Sequence, residues 1–171
     1  FQWVLYHGNH TIRYEIRWRF AGTSTLGGCT GATRTEEIRR TDMVHFVGAG
    51  PGGPDLITLR GAELLGRADC VVYAGSLVNP ALLGLVREGV PVYNSAQMTL
   101  EQVLEVLEET HRRGGDTVRL HTGDPCLYGA IREQMDALDA DGIPYDDTPG
   151  VSSFCGAAAA LCAEHLSGNF S

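Results

Sequence analysis

From Met43 onward, short β-branched runs alternate with amphipathic helical runs. This alternation leaves few folds open, because a strand whose chain returns through a helix pairs with a parallel neighbour. The expected fold class is α/β, a mostly parallel sheet with helices on both faces. The runs read as strands are Val44-His45-Phe46-Val47, Cys70-Val71-Val72-Tyr73, Pro91-Val92-Tyr93 and Thr117-Val118-Arg119-Leu120, with a short one near Pro144-Tyr145, each followed by a turn and a helix. The helix opening at Thr99 has the plainest signature: Thr99 and Gln102 make a capping box, and Leu100, Val103, Leu104 and Leu107 repeat at helical spacing. Gly114-Gly115 ends it, with Arg112 and Arg113 at its negative end. A second helix is expected from Gly129 to Ala140, with Ile131, Met135 and Leu138 inward, and a third from Ser152 to about Glu164. Four alanines, Ala157 to Ala160, suit close packing of that third helix on a sheet or a ligand, and helix propensity explains them equally well.

Residues 1–42 have a different character. Isolated aromatics (Trp3, Tyr6, Tyr14, Trp18, Phe20) mix with arginines, and a Gly/Thr/Ser-rich run extends from Ala21 to Thr35. Tyr14 to Phe20 alternates weakly like a strand, Thr35 to Arg40 is polar, and the segment reads as an unassigned leader or linker before a domain at 43–171. The chain opens on Phe1 and stops at Ser171 after the alanine-rich helix, which reads as a piece of a longer frame.

The chemistry classes narrow with composition. A length of 171 residues with 43% hydrophobic content allows one ordinary domain with a core. With 21 acidic against 13 basic side chains, the net charge of -8 offers no footprint for a nucleic acid. Five cysteines without a C-x-x-C pair suggest neither a disulfide framework nor a zinc site, and a reducing cytoplasm is the expected compartment. No apolar stretch approaches the roughly 20 residues that cross a bilayer, so no membrane partner is expected.

Three loops carry the candidate chemistry. The first, Val47-Gly48-Ala49-Gly50-Pro51-Gly52-Gly53-Pro54-Asp55-Leu56-Ile57-Thr58, follows a strand and literally satisfies G-x-G-x-x-G. A dinucleotide site would need free loop amides and an acid about 20 positions on. Pro51 and Pro54 remove two amides, and the next strand ends in Ala74-Gly75-Ser76 without an acid. The second, Arg119-Leu120-His121-Thr122-Gly123-Asp124-Pro125-Cys126-Leu127-Tyr128-Gly129-Ala130, again leaves a strand for a helix. Asp124 there could accept from a ligand or cap the following helix. The third, Thr148-Pro149-Gly150-Val151-Ser152-Ser153-Phe154, places serines at a helix start, where capping is their ordinary role. Loops leaving three strands of one sheet can converge on a single edge, and that convergence is the functional signal. His45 and His121 read as structural or solvated, and Cys126 reads as a pocket lining because no Cys/His pairing is demonstrable.

These segments resemble the tetrapyrrole (corrin/porphyrin) methylase family. Val47 to Thr58 is similar to its V-G-x-G-P-G-[DGA]-P-x-L-[LI]-T signature, Arg119 to Gly129 to R-L-x-x-G-D-P-x-x-Y-G, and Pro149 to Phe154 to P-G-[VI]-[ST]-[SA], in that order. Tyr73 to Val78, Ser95 to Leu100 and Gly129 to Gln134 further resemble the branch that methylates precorrin-4 or cobalt-precorrin-4 at C-11 in cobalamin biosynthesis. The resemblance covers Val44 to His165 and departs at Gly53, where many relatives carry an acid. It implies an enzyme that takes its methyl group from S-adenosyl-L-methionine and a first of two α/β domains, with the second lying beyond Ser171. It also implies a tetrapyrrole substrate and leaves open a homodimer. The implied cofactor-binding residues are Pro51, Thr122, Gly123, Asp124, Leu127, Ser152 and Ser153, with no metal ligand and no assigned catalytic residue. Other family substrates, uroporphyrinogen III or precorrin-2, and an inactive binding fragment stay as alternatives.

Overall fold

The computed structural model describes residues 3–7, 10–14 and 42–163. The chain divides into two units, Phe1–Glu37 and Ile38–Ser171. In the first, β1 (Trp3–His7) pairs antiparallel with β2 (His10–Tyr14), in register from Trp3↔Tyr14 to His7↔His10. Tyr14 closes β2, and the rest of the strand-like run to Phe20 lies outside the described residues, as do the segments Ala21 to Thr35 and Thr35 to Arg40.

The second unit is built on five parallel strands in the order β5-β4-β6-β3-β7. These are β3 (Val44–Gly48), β4 (Cys70–Tyr73), β5 (Val92–Asn94), β6 (Thr117–His121) and β7 (Tyr145–Thr148). β3 and β6, both inner strands, are buried along their whole length, including the polar side chains His45, Thr117, Arg119 and His121. Side chains alternate between the sheet faces. Val47, Val71, Val118 and Leu120 pack on one face with Leu64 and Leu65 of α1 (Leu59–Arg67). Val44, Phe46, Cys70 and Val72 pack on the other with Val103 and Leu107 of α2 (Leu100–Arg112) and Leu138 of α3 (Arg132–Asp141). The fold is therefore α/β with both faces of the sheet covered, as the alternation of runs implies.

α2 carries the expected capping box, with the Gln102 amide donating to Thr99 Oγ1 and the Thr99 amide donating to Gln102 Oε1. Four boundaries differ from expectation. β4 leads into two 3-10 turns, Gly75–Leu77 and Pro80–Leu85, and not an α-helix. Pro80 starts the second turn under an Asn79 cap, and Gly84 follows within it. α3 begins at Arg132, three residues later than Gly129, because Tyr128 and Ala130 hold left-handed backbone (φ 61° and 49°). α4 (Ser153–Ala160) is capped by Ser152 and ends at Ala160, short of the expected Glu164. Of its alanines only Ala158 is buried, and the close approach is made by Gly156, where an added Cβ would come within 2.5 Å of Pro51. β7 extends beyond the expected Pro144-Tyr145 because the polar Tyr-Asp-Asp-Thr run lies at the sheet edge against β3.

Candidate functional site

The loops leaving β3 and β6 turn to opposite faces, toward α1 and α3, an arrangement that places ligands at the carboxyl edge of open α/β sheets. There the three sequence loops meet at their glycines. Gly50 and Gly123 exchange both backbone bonds, at 3.2 and 2.9 Å, and the Ala49 amide donates to His121 O at 2.7 Å. The Ala49 and Gly50 amides are thus engaged with the second loop, and Pro51 and Pro54 have none, which leaves few loop amides for a phosphate. A Cβ on Gly48 would fall 2.5 Å from Gly150 Cα and 2.6 Å from Gly123 O, and one on Gly150 would collide with that same carbonyl. Only glycine permits this crossing.

Asp124 fixes the second and third loops together. Its Oδ1 accepts from the Cys126 amide at 2.9 Å and its Oδ2 from the Gly150 amide at 3.0 Å. It does not cap the following helix, which starts eight residues on. Leu127, Ser152 and Ser153 line one recess of about 780 Å³ together with Tyr128, Phe154 and Ala157. Gly123 borders it, since a Cβ there would lie 3.2 Å from the Ser153 amide. Pro51 stands against Gly156 on α4, and Thr122 is half-buried between His121 and Gly123. Of the seven expected cofactor residues, then, three share the recess and the others sit on or beside the loops that frame it. Sequence reasoning passed over Tyr128 and Phe154 as lining residues, whereas Ala157 belongs to the alanine run expected to pack on a sheet or a ligand. The signal for Tyr128 was its place before Gly129 inside the second motif.

The titratable groups nearby carry no activated nucleophile. Burial, together with the charges of Asp147 and Asp124 and a contact from its Sγ to Asp147 Oδ2 at 3.5 Å, pushes the Cys126 thiol up to about 11. Cys126, expected to line the pocket, is absent from the recess lining. His121, at the end of β6, is 4% exposed. Burial and then the neighbouring Arg119 charge lower its pKa to about 3, so it is a neutral imidazole at physiological pH. Arg119 donates to Gln134 Oε1, Val72 O and Ser95 Oγ, and burial lowers its own pKa to about 10. His45 is structural: its Nδ1 meets Asp146 Oδ1 at 2.6 Å, and Arg60 holds the other oxygen of the same carboxylate. Burial raises the Asp146 pKa, but His45 and Arg60 outweigh it and keep the carboxyl below its ordinary range.

A parallel α/β sheet whose glycine loops cross at the carboxyl edge beside a recess of apolar and hydroxyl side chains has the ligand-site arrangement of open α/β folds. The model of the Tetrapyrrole (Corrin/Porphyrin) Methylases matches residues 43–164, and the chain belongs to that family. Within it, the chain is 49% identical over 121 residues to a cobalt-precorrin-4 C(11)-methyltransferase of Methanocaldococcus jannaschii, covering 71% of this chain and 47% of that protein. It is 50% identical over 121 residues to a precorrin-4 C(11)-methyltransferase of Pseudomonas aeruginosa, covering 71% and 48%. Its fold matches the crystal structure of a cobalt precorrin-4 methyltransferase with a TM-score of 0.70 at 46% identity, over 72% of this chain and 52% of that one. A uroporphyrin-III C-methyltransferase from Thermus thermophilus, solved with S-adenosyl homocysteine, matches at TM-score 0.58 and 34% identity, over 68% and 48%. The chain spans about half the length of the curated relatives it matches.

Proposed function

We propose that residues 43–171 form the first α/β domain of an S-adenosylmethionine-dependent methyltransferase that methylates precorrin-4, or its cobalt form, at C-11 of the corrin ring. The observation that carries this reading is the crossing of the Gly48, Gly123 and Gly150 loops beside the recess of Leu127, Ser152 and Ser153. The branch is supported by similarity to the two precorrin-4 relatives, and the cofactor by the methyltransferase solved with S-adenosyl homocysteine. The recess fits such a cofactor. Its volume lies within the roughly 300–1,000 Å³ of ligand pockets, and it sets apolar Leu127 and Ala157 beside the hydroxyls of Ser152 and Ser153.

When bound, S-adenosylmethionine supplies a methyl group already activated as a sulfonium, so the protein's task is alignment and exclusion of water. In this reading Pro51, Thr122 and Gly123 approach the cofactor through backbone, while Leu127, Ser152 and Ser153 form its walls. Asp124 positions rather than reacts, because both its oxygens hold backbone amides of the second and third loops. The site also withholds competing acceptors for the methyl group. Cys126 stays a thiol, since its pKa of about 11 leaves almost no thiolate at neutral pH, and the His121 ring is buried. The protein would act in the cytoplasm, as a soluble biosynthetic enzyme; no helix among the described residues is long and apolar enough to cross a membrane.

The test is transfer of an isotope-labelled methyl group from S-adenosylmethionine by the intact protein, offered precorrin-4, uroporphyrinogen III and precorrin-2 in parallel. Label on precorrin-4 alone supports the branch. Label on another tetrapyrrole moves the chain within the family, and no label on any of them removes the proposal.

A further inference from the structure

We infer that Tyr128 is a substrate-contact residue that receives a pyrrole-type ring of the tetrapyrrole at the mouth of the recess. The inference rests on the proposed methylase reading and adds a residue to it. Tyr128 is the most exposed large hydrophobic side chain among the described residues, at 101%. It lines the recess with Leu127, Ser152, Ser153, Phe154 and Ala157. Its backbone is left-handed, φ 61°, in a region that bulky L-residues rarely adopt. Ala130, two residues on, is left-handed as well, at φ 49°.

The surrounding turn over-determines this conformation. The Leu127 amide donates to Asp124 O at 3.1 Å, Asp124 Oδ1 holds the Cys126 amide, and Gly129 lies so close to Pro125 that any Cβ would collide with the Pro125 carbonyl oxygen. A strained residue held in place by its neighbours, with a large ring fully displayed to solvent, gains nothing in packing within the described fold. Such strain is concentrated at ligand sites. The location selects between the two ligands of the proposed reaction. Gly123 and Asp124 lie close to the end of β6 and bond to the neighbouring loops, whereas Tyr128 stands four residues further along the same loop at the rim. The methyl acceptor must approach in line with the methyl group through open space beside the donor, which the exposed Tyr128 ring borders, and the acceptor is built of pyrrole-type rings, which pair with an aromatic side chain face to edge or offset. Contact of this kind needs the Tyr128 ring and not its hydroxyl.

The experiment measures two ligands on the intact wild-type protein, Tyr128→Ala and Tyr128→Phe. Uroporphyrin III is followed by its visible absorption and S-adenosylhomocysteine by calorimetry, with Tm recorded for each variant. The expected result is that Tyr128→Ala weakens uroporphyrin binding by roughly five- to a hundredfold, the loss typical of one stacked aromatic. S-adenosylhomocysteine affinity and Tm stay near wild type, and Tyr128→Phe binds as wild type does. Unchanged uroporphyrin affinity in Tyr128→Ala, with wild type binding both ligands, overturns the inference and leaves the methylase reading standing. Parallel loss of S-adenosylhomocysteine affinity and Tm also overturns it, because the ring would then pack against cofactor or protein. Binding of neither ligand by the wild-type protein overturns the methylase reading and this inference with it.

Discussion

Asp124 is the residue on which two of the three loops depend. Each of its carboxylate oxygens faces a backbone donor. Asp124→Asn turns one acceptor into a donor pointed at an amide, so that bond is lost along with the charge. Hydrogen bonds to charged groups contribute about 1.5–3 kcal/mol, and S-adenosylhomocysteine affinity should fall about tenfold or more by calorimetry, with little change in any pH optimum. A large shift of the optimum with intact binding would contradict a positioning role. His121 gives a second residue-scale expectation. Its folded pKa, about 3, lies below the unfolded value of about 6.5, so its contribution is complete above pH 6.5 and is lost as the pH falls toward 3. The slope reaches at most about 1.4 kcal/mol per pH unit for one proton. Urea unfolding at a series of pH values should therefore show a shallower acid loss for His121→Gln than for the wild-type protein. At this scale the sequence made the loop residues visible but not their partners. Gly150, which completes the Asp124 bond, is 26 positions away, and Asp146, which holds His45, reaches it only through the β3–β7 register His45↔Asp146.

Elements were legible where one local rule was enough. The capping box of α2 is a four-residue pattern, Thr99 to Gln102, and it forms as written. Thr99→Ala removes it and should cost about 1 kcal/mol, read as a lower Tm without loss of ligand affinity, because α2 packs under the sheet face and takes no part in the recess. Strand positions were legible for β3, β4 and β6 because each carries a run of β-branched and apolar residues between turn signals, although polar Arg119, His45 and His121 are buried within them. β7 was only half visible, since an edge strand carrying Asp146 and Asp147 has no such run. The start of α3 was misplaced because left-handed backbone at Tyr128 and Ala130 comes from the closed turn around Pro125 and Gly129, and no periodicity encodes that closure. The loop crossing supplies the sharpest prediction for an element. Gly150→Ala drives a methyl group into the Gly123 carbonyl and against Gly48, so the loops must separate. Overpacking of this sort costs about 1–3 kcal/mol, and S-adenosylhomocysteine binding should be lost while the circular dichroism of the sheet and helices persists. Retained affinity in a folded Gly150→Ala protein would show that the crossing does not shape the site.

Across the whole molecule, the reading rests on topology more than on any one side chain. The strand order β5-β4-β6-β3-β7 sets β6, β3 and β7 side by side, and that adjacency brings three loops, distant in sequence, to one edge. Sequence order alone cannot supply that adjacency, although it does supply the glycines and prolines that suit it. Exposed Phe154 of α4, beside the recess side chains Leu127 and Tyr128, gives the carboxyl edge an apolar character. The central claim is that this edge binds an adenosyl sulfonium cofactor and no dinucleotide. Calorimetric titration of the intact protein with S-adenosylhomocysteine, with NAD as the control ligand, tests it most directly. Saturable binding of S-adenosylhomocysteine with no heat from NAD is the predicted result; binding of NAD alone, or of neither ligand, would contradict the account.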